Sequence, residues 1–472
     1  MKHKSWRGEI LVDMSERPSN SVDSTTRWLR ETASSVDYTR FRRIWLQPVI
    51  EHAEQGYMAA CYEQLAQRAI SEGEYYLAHD AANYGLRCAA TTDFPLHRLI
   101  SLKVTALARS GATGMARRVM DQFLEDHEPD SGVCSAQARL FRDMALAAAE
   151  TENRRNLFKE AARWASMAKE YARGECKDWA YPANQEAQFQ FLAGERGLAQ
   201  AGALEVIEFV SERPDADSMW NQTNLAEMHL VCGDLAMAGC HYRKAAGLGM
   251  RSPGDLAANR AVAIILLAEL GALDGNAQVE SWFPQPVLLV FSGHIPDFPD
   301  RATKRLPGAL CRPGGEVARA LKQRIFDFKA IEGICASAPG GDILFAEALV
   351  ATGSRLSLVN PFLRPQILKF AEECGEDWPE RLEWVFQMAG HSESIACAED
   401  ADRDTQCEYC NQVMLGGAML RARRINASLH ALVLWDESDA ETPKRGGTGQ
   451  FVALCRAAGV PVEVINPRSL YS

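Results

Sequence analysis

Three polar clusters toward the end of the chain have residue types suited to holding or processing a phosphorylated small molecule. The first is Gly293-His294-Ile295-Pro296-Asp297, with Arg301 behind it. Glycine admits a ligand close to the backbone, while His294, Asp297 and Arg301 offer a titratable ring, an acceptor and a cation. The second, Gly340-Gly341-Asp342, runs into Ile343-Leu344-Phe345-Ala346-Glu347. Two glycines ahead of a helix leave its first N–H groups open to an anion. Asp342 is then either a helix cap or a site carboxylate. Glu347 points about 140° away around a helix of about 3.6 residues per turn, so the two carboxylates are not automatically a pair. The third cluster is Trp435-Asp436, followed by Arg445-Gly446-Gly447-Thr448. Asp436 suits a ribose or base as acceptor, and the glycines and Thr448 suit a phosphate, with Arg445 as counter-charge. The spacings of a P-loop and of the dinucleotide G-x-G-x-x-G turn are both absent. For general acid–base work the candidates are Asp342, Glu347 and Asp436.

Short apolar runs precede these clusters and must position them. They cover residues 286–291, 356–359, 429–435 and 461–465, with a weaker one at 331–336. The run at 356–359 stops on Asn360, another candidate for ligand binding. β-rich runs separated by helix-length segments predict a mainly parallel sheet covered on both faces. The carboxyl ends of such strands share one edge, where ligands bind. Gly293, Asp342, Asp436 and Thr448 are therefore expected to border one crevice.

Residues 25–280 read as helix after helix. Turn glycines Gly73, Gly111, Gly194 and Gly233 lie 38, 83 and 39 positions apart, each followed by small residues such as Ala78, Ala116, Ala199 and Ala238. A period near 40 fits helical hairpins, with one degenerate repeat inside the doubled gap. Trp164, Trp179, Trp220 and Trp282 are expected in the packing between repeats. Periodicity breaks near residues 271–276, giving a boundary at about 280 and an α/β domain over 281–472. Residues 1–24 are polar and expected to be loosely ordered.

A chain of 472 residues is long enough for two or three cores. A net charge of −11 argues against non-specific nucleic-acid binding. No run is long enough to span a membrane, and no apolar segment follows the basic start to make a signal peptide. Thirteen cysteines, an odd number scattered through helices, fit reduced thiols in the cytoplasm. Cys407 and Cys410 have C-x-x-C spacing without a matching second pair, and no residue set has convincing metal spacing.

Taken in order, Gly293-His294-Ile295-Pro296-Asp297, Arg301, residues 341–348, Asn360-Pro361-Phe362, Cys410-Asn411, Trp435-Asp436 and Gly446-Gly447-Thr448 resemble the C-terminal domains of the SLOG-like, LOG-related Rossmannoid group. The helical part, through residues 109–112, Ala226-Glu227 and Gly233-Asp234, resembles the tetratricopeptide (TPR)-like "TRAFs-binding" region. The resemblance implies a TPR-like superhelix followed by a Rossmann-like domain that binds, or processes, a nucleotide- or NAD-derived ligand. It also implies a scaffold for a protein partner, of the kind used in bacterial signalling and antiphage defence. A ligand sensor, an enzyme cleaving an N-glycosidic or phosphate bond, and a pure interaction scaffold all stay open, as does a homo-oligomer. No cofactor beyond that ligand is implied.

Overall fold

The computed structural model describes residues 55–248, 252–272, 274–299, 301–375, 377–395 and 402–470, and it divides into two units between Pro284 and Gln285. The expected segment 1–24 lies outside the described residues, as does the start of the helical region.

The first unit contains, among the described residues, helices α1 (Gln55–Ser71), α2 (Tyr75–Ala89), α3 (His97–Arg109), α4 (Thr113–Asp126), α5 (Ser131–Ala147) and α6 (Thr151–Gly174). They are followed by α7 (Ala180–Ala193), α8 (Arg196–Ser211), α9 (Met219–Val231), α10 (Leu235–Gly247), α11 (Pro253–Glu269) and α12 (Gly275–Trp282). Consecutive helices pair as hairpins. Gly73, Gly111, Gly194, Gly233 and Gly271 sit in the turns with φ between +73° and +89°. That left-handed conformation lets the next residue's N–H reach back five positions, as Glu74 does to the Ala69 carbonyl at 2.8 Å, and so close the helix end. The doubled glycine interval contains the hairpin α5–α6, whose turn at residues 148–150 has no glycine. Ala78, Ala116, Ala199 and Ala238 are fully buried between helices, where a larger side chain would push the backbones apart.

Two expectations need correction. Helical structure does not stop at residues 271–276, because α12 continues to Trp282, which stacks on Tyr242 with ring centres 5.4 Å apart. Trp220 is not in the packing: it is 54% exposed.

In the second unit the strands are β1 (Val287–Gly293), β2 (Ala330–Cys335), β3 (Arg355–Asn360), β4 (His391–Ser394), β5 (Ser428–Leu434) and β6 (Val462–Ile465). All pairs are parallel, in the order β4-β3-β2-β1-β5-β6. Between them run α13 (Glu316–Phe328), α14 (Gly341–Ala351), α15 (Arg364–Cys374), α16 (Trp378–Met388), α17 (Arg403–Arg424) and α18 (Thr448–Ala457). Alternation along β1 explains the layering. Leu289 and Phe291 pack with α13–α16, whereas Leu288 and Val290 pack with α17 and α18. Helices therefore cover both faces, as continuous apolar strands require. The strand order reverses beside β1, so the switch point of the sheet lies between the carboxyl ends of β1 and β5.

Glu332 in β2 and Arg421 in α17 form a buried pair inside this sandwich, with nitrogen–oxygen distances of 2.9 and 3.1 Å. Removing one partner leaves a charge uncompensated away from water. Urea denaturation is expected to show Glu332→Ala destabilised by about 3–5 kcal/mol, and Glu332→Leu/Arg421→Leu closer to wild type. Equal losses in the two variants would contradict this balance.

Candidate functional site

The end of β1 and the start of α14 touch through two glycines. A Cβ on Gly293 would lie 2.8 Å from Gly341 Cα, and one on Gly341 would lie 2.7 Å from Gly293 Cα. At that separation no side chain fits at either position. The contact is held by Gly341 N–H donating to the His294 carbonyl at 2.9 Å. Asp342 secures both flanks: Oδ1 accepts from Gly293 N–H at 3.2 Å and Oδ2 from Ala338 N–H at 3.3 Å. Burial pushes the Asp342 carboxyl up to about 7, although these two backbone donors oppose the shift.

On the other side of β1, His294 N–H donates to the Leu434 carbonyl at 3.1 Å, which brings its ring to the end of β5. Nε2 lies 2.9 Å from Asp436 Oδ1 and 3.1 Å from Asp436 N, so it donates to the carboxylate or accepts from the amide according to tautomer. Burial, followed by the charge of Arg305, lowers the imidazole pKa; the Asp436 hydrogen bond only partly opposes this, and the ring is neutral near pH 7. Asp436 is already engaged. Its Oδ1 also accepts from Ser438 Oγ at 2.7 Å, and its Oδ2 pairs with Arg468 at 2.7 Å. Burial alone would raise this carboxyl, but hydrogen bonds from Ser438 and His294 hold it below its ordinary value. Here Asp436 orients His294 more than it offers itself to a ribose.

Thr448 opens α18 and meets Ser292 Oγ at 3.5 Å, so this helix start also adjoins β1. Gly447 is the cap residue, and Gly446 N–H is occupied by Gln450 Oε1 at 2.7 Å. Arg445 pairs with Glu408 on an exposed surface, which removes the expected counter-charge from this turn. Gly340 precedes α14 with φ +97°, its backbone packed against the His294 carbonyl.

At the end of β3, Asn360 is fully buried and accepts from Ser337 Oγ at 2.6 Å through Oδ1. Its Nδ2 has no partner. Beside it, Cys410 Sγ donates to the Val359 carbonyl at 3.3 Å, and the next residue, Asn411, is buried with a second unpartnered Nδ2. Burial raises both the Cys407 and Cys410 thiols, and the Asp342 charge adds to each shift, so the first turns of α17 lie within electrostatic reach of α14.

Three candidates do not join this group. Glu347 is tied to Arg381 by two bonds of 2.7 and 2.6 Å, between α14 and α16, because the helical turn aims it away from Asp342. Asp297 staples its own loop, accepting from Arg305 N–H at 2.8 Å and Leu306 N–H at 2.9 Å. Arg301 sits 3.4 Å from Asp297 and donates to the Thr303 carbonyl at 3.1 Å. Residues absent from the sequence-based set are Arg305, Ser337, Asn411, Ser438 and Arg468. Asn411 had a signal in the Cys410-Asn411 pair; Arg468 had none, since only folding brings it to Asp436. Among the described residues no group of three or more His, Cys, Asp or Glu side chains is arranged to hold a metal ion. No described helix is long and apolar enough to cross a membrane.

No protein-family model matches the chain, and no curated protein matches it. Among solved structures, one titled "Circular tandem repeat protein with novel repeat topology and enhanced subunit contact surfaces" is 13% identical over 85% of this chain and 87% of that one. Its TM-score is 0.15, too low to bear on the fold.

The Asp342 carboxyl binds its proton more tightly in the folded chain, about 7 against an ordinary 3.8. Its contribution to stability is therefore greatest at low pH and is lost as pH rises from about 4 to 7. Asp342→Asn is expected to remove that slope and, at pH 5, to destabilise by about 1–3 kcal/mol through one backbone N–H left unpaired. Denaturation midpoints at pH 5 and pH 8 check this; parallel pH profiles for the two proteins would contradict it.

Proposed function

We propose that residues 285–472 form a Rossmann-like domain that binds a nucleotide- or NAD-derived ligand at the carboxyl edge of its sheet. The helical unit then serves as a TPR-like scaffold for a protein partner, in a signalling or defence role. The observation that carries the reading is the pair of buried amides, Asn360 and Asn411, with no acceptor for Nδ2. A buried donor without an acceptor costs about 1–3 kcal/mol, so a ligand supplying an acceptor recovers stability that the empty site forgoes. The reversal of strand order beside β1, and two helix starts converging on that strand, support the same edge.

Isothermal titration of the full chain with nucleoside mono- and diphosphates, NAD and ADP-ribose is expected to give saturable binding. Asn411→Leu is expected to weaken it about fivefold or more while leaving the chain as stable as wild type or more so, since an unpaired donor has gone. A flat response across the panel from intact protein sinks the reading.

The raised pKa of Asp342 favours a second reading, in which the bound ligand is cleaved at an N-glycosidic or phosphate bond with that carboxyl as general acid. Incubating NAD and nucleoside monophosphates with wild type and Asp342→Asn decides it. Turnover must occur and must fall in the variant.

A further inference from the structure

Arg305 follows the loop after β1, and its backbone N–H is fixed by Asp297 at 2.8 Å. Among the described residues its guanidinium makes no hydrogen bond and no ion pair, and Nε is buried. It is partly buried and close enough to His294 and Asp436 for their charges to interact. Burial and the neighbouring Arg301 lower its pKa, with Asp436 and Asp297 opposing, yet a guanidinium stays charged at neutral pH. A partly desolvated cation without a partner is matched by an anion.

The end of β3 has the opposite character. Ser337, Asn360 and Asn411 are neutral, and Glu393 adds a carboxylate charge that acts on the adjoining Cys410 thiol. Neutral side chains give a phosphate no counter-charge. Ser337 already engages Asn360 Oδ1, so the unmet capacity of this amide is its Nδ2 donor. Two strand spacings separate β1 from β3, about 10 Å, which a nucleoside monophosphate bridges.

Resting on the nucleotide reading, we propose that the ligand lies across β1, β2 and β3 with its phosphate against Arg305 and its base against Asn360 and Asn411. The β3 end selects a neutral group bearing acceptors, such as a nucleobase carbonyl. Arg305 sets the demand for phosphate.

The test titrates the full chain with inorganic phosphate, guanosine, GMP and AMP. Wild type is expected to bind GMP about tenfold or more tightly than guanosine, the value of a charge-assisted contact. Arg305→Ala should erase that increment and leave guanosine affinity unchanged, while Arg305→Lys keeps part of it. Asn411→Leu should bring GMP and AMP affinities together and keep the phosphate increment. An increment that survives in Arg305→Ala, or that is lost in Asn411→Leu instead, overturns the orientation. Should no nucleoside or nucleotide bind, the nucleotide reading and the base half of the orientation fall together. Inorganic phosphate then judges Arg305 alone: thermal stabilisation of wild type but not of Arg305→Ala supports it as the anion anchor. Stabilisation of both, or of neither, removes it.

Discussion

The contact between Gly293 and Gly341 is the constraint on which the α/β unit's polar edge depends. Two backbones meet closer than any side chain allows, and only a pair of glycines lets the first strand end against the start of a helix that follows the second. That proximity lets a single carboxyl group, on Asp342, bind the end of β1 and the loop after β2 through their N–H groups. His294 depends on the same geometry, because its carbonyl holds Gly341 and its N–H holds Leu434. One short stretch thus ties β1, β2 and β5 together at a common edge.

Around this anchor the polar groups separate by character. Near β1 and β5, acids and bases are largely paired with each other, and the imidazole is kept neutral by burial. Near β3, neutral amides replace charges. Glu332 and Arg421 lie toward the opposite end of the sheet, a reminder that buried charge here can also serve packing alone. A buried ion pair is weak support for stability and becomes informative mainly when one partner is lost.

Most strands were legible because apolar residues follow each other without alternation, the mark of a strand covered on both faces. β4 was not, since His391-Ser392-Glu393-Ser394 lies on an edge and has no apolar face to betray it. Four hairpin turns announced themselves through glycine, whereas the turn at residues 148–150 left only the doubled interval as a trace, and connections between hairpins such as residues 127–130 carry no glycine. Site residues divide by distance in sequence. Gly341 and Asp342 were readable from a turn feeding a helix. Periodicity gave the direction of Glu347 but not its partner Arg381, 34 positions away. The sequence points to Arg301 and gives no sign of Arg305, because the loop's reversal, stapled by Asp297, cannot be seen in a linear pattern. Arg468 and Asp436 lie 32 positions apart and meet only in the folded chain.

Both borders of the sheet are strands of four residues, β4 and β6. β4 is polar and largely exposed, and β6 carries Glu463 in an ion pair with Arg324. Brief, charged borders offer few consecutive backbone groups for another chain to zip onto. Recruitment by strand addition and edge-to-edge aggregation are both disfavoured on this unit, so a polypeptide that docks here must do so through side chains.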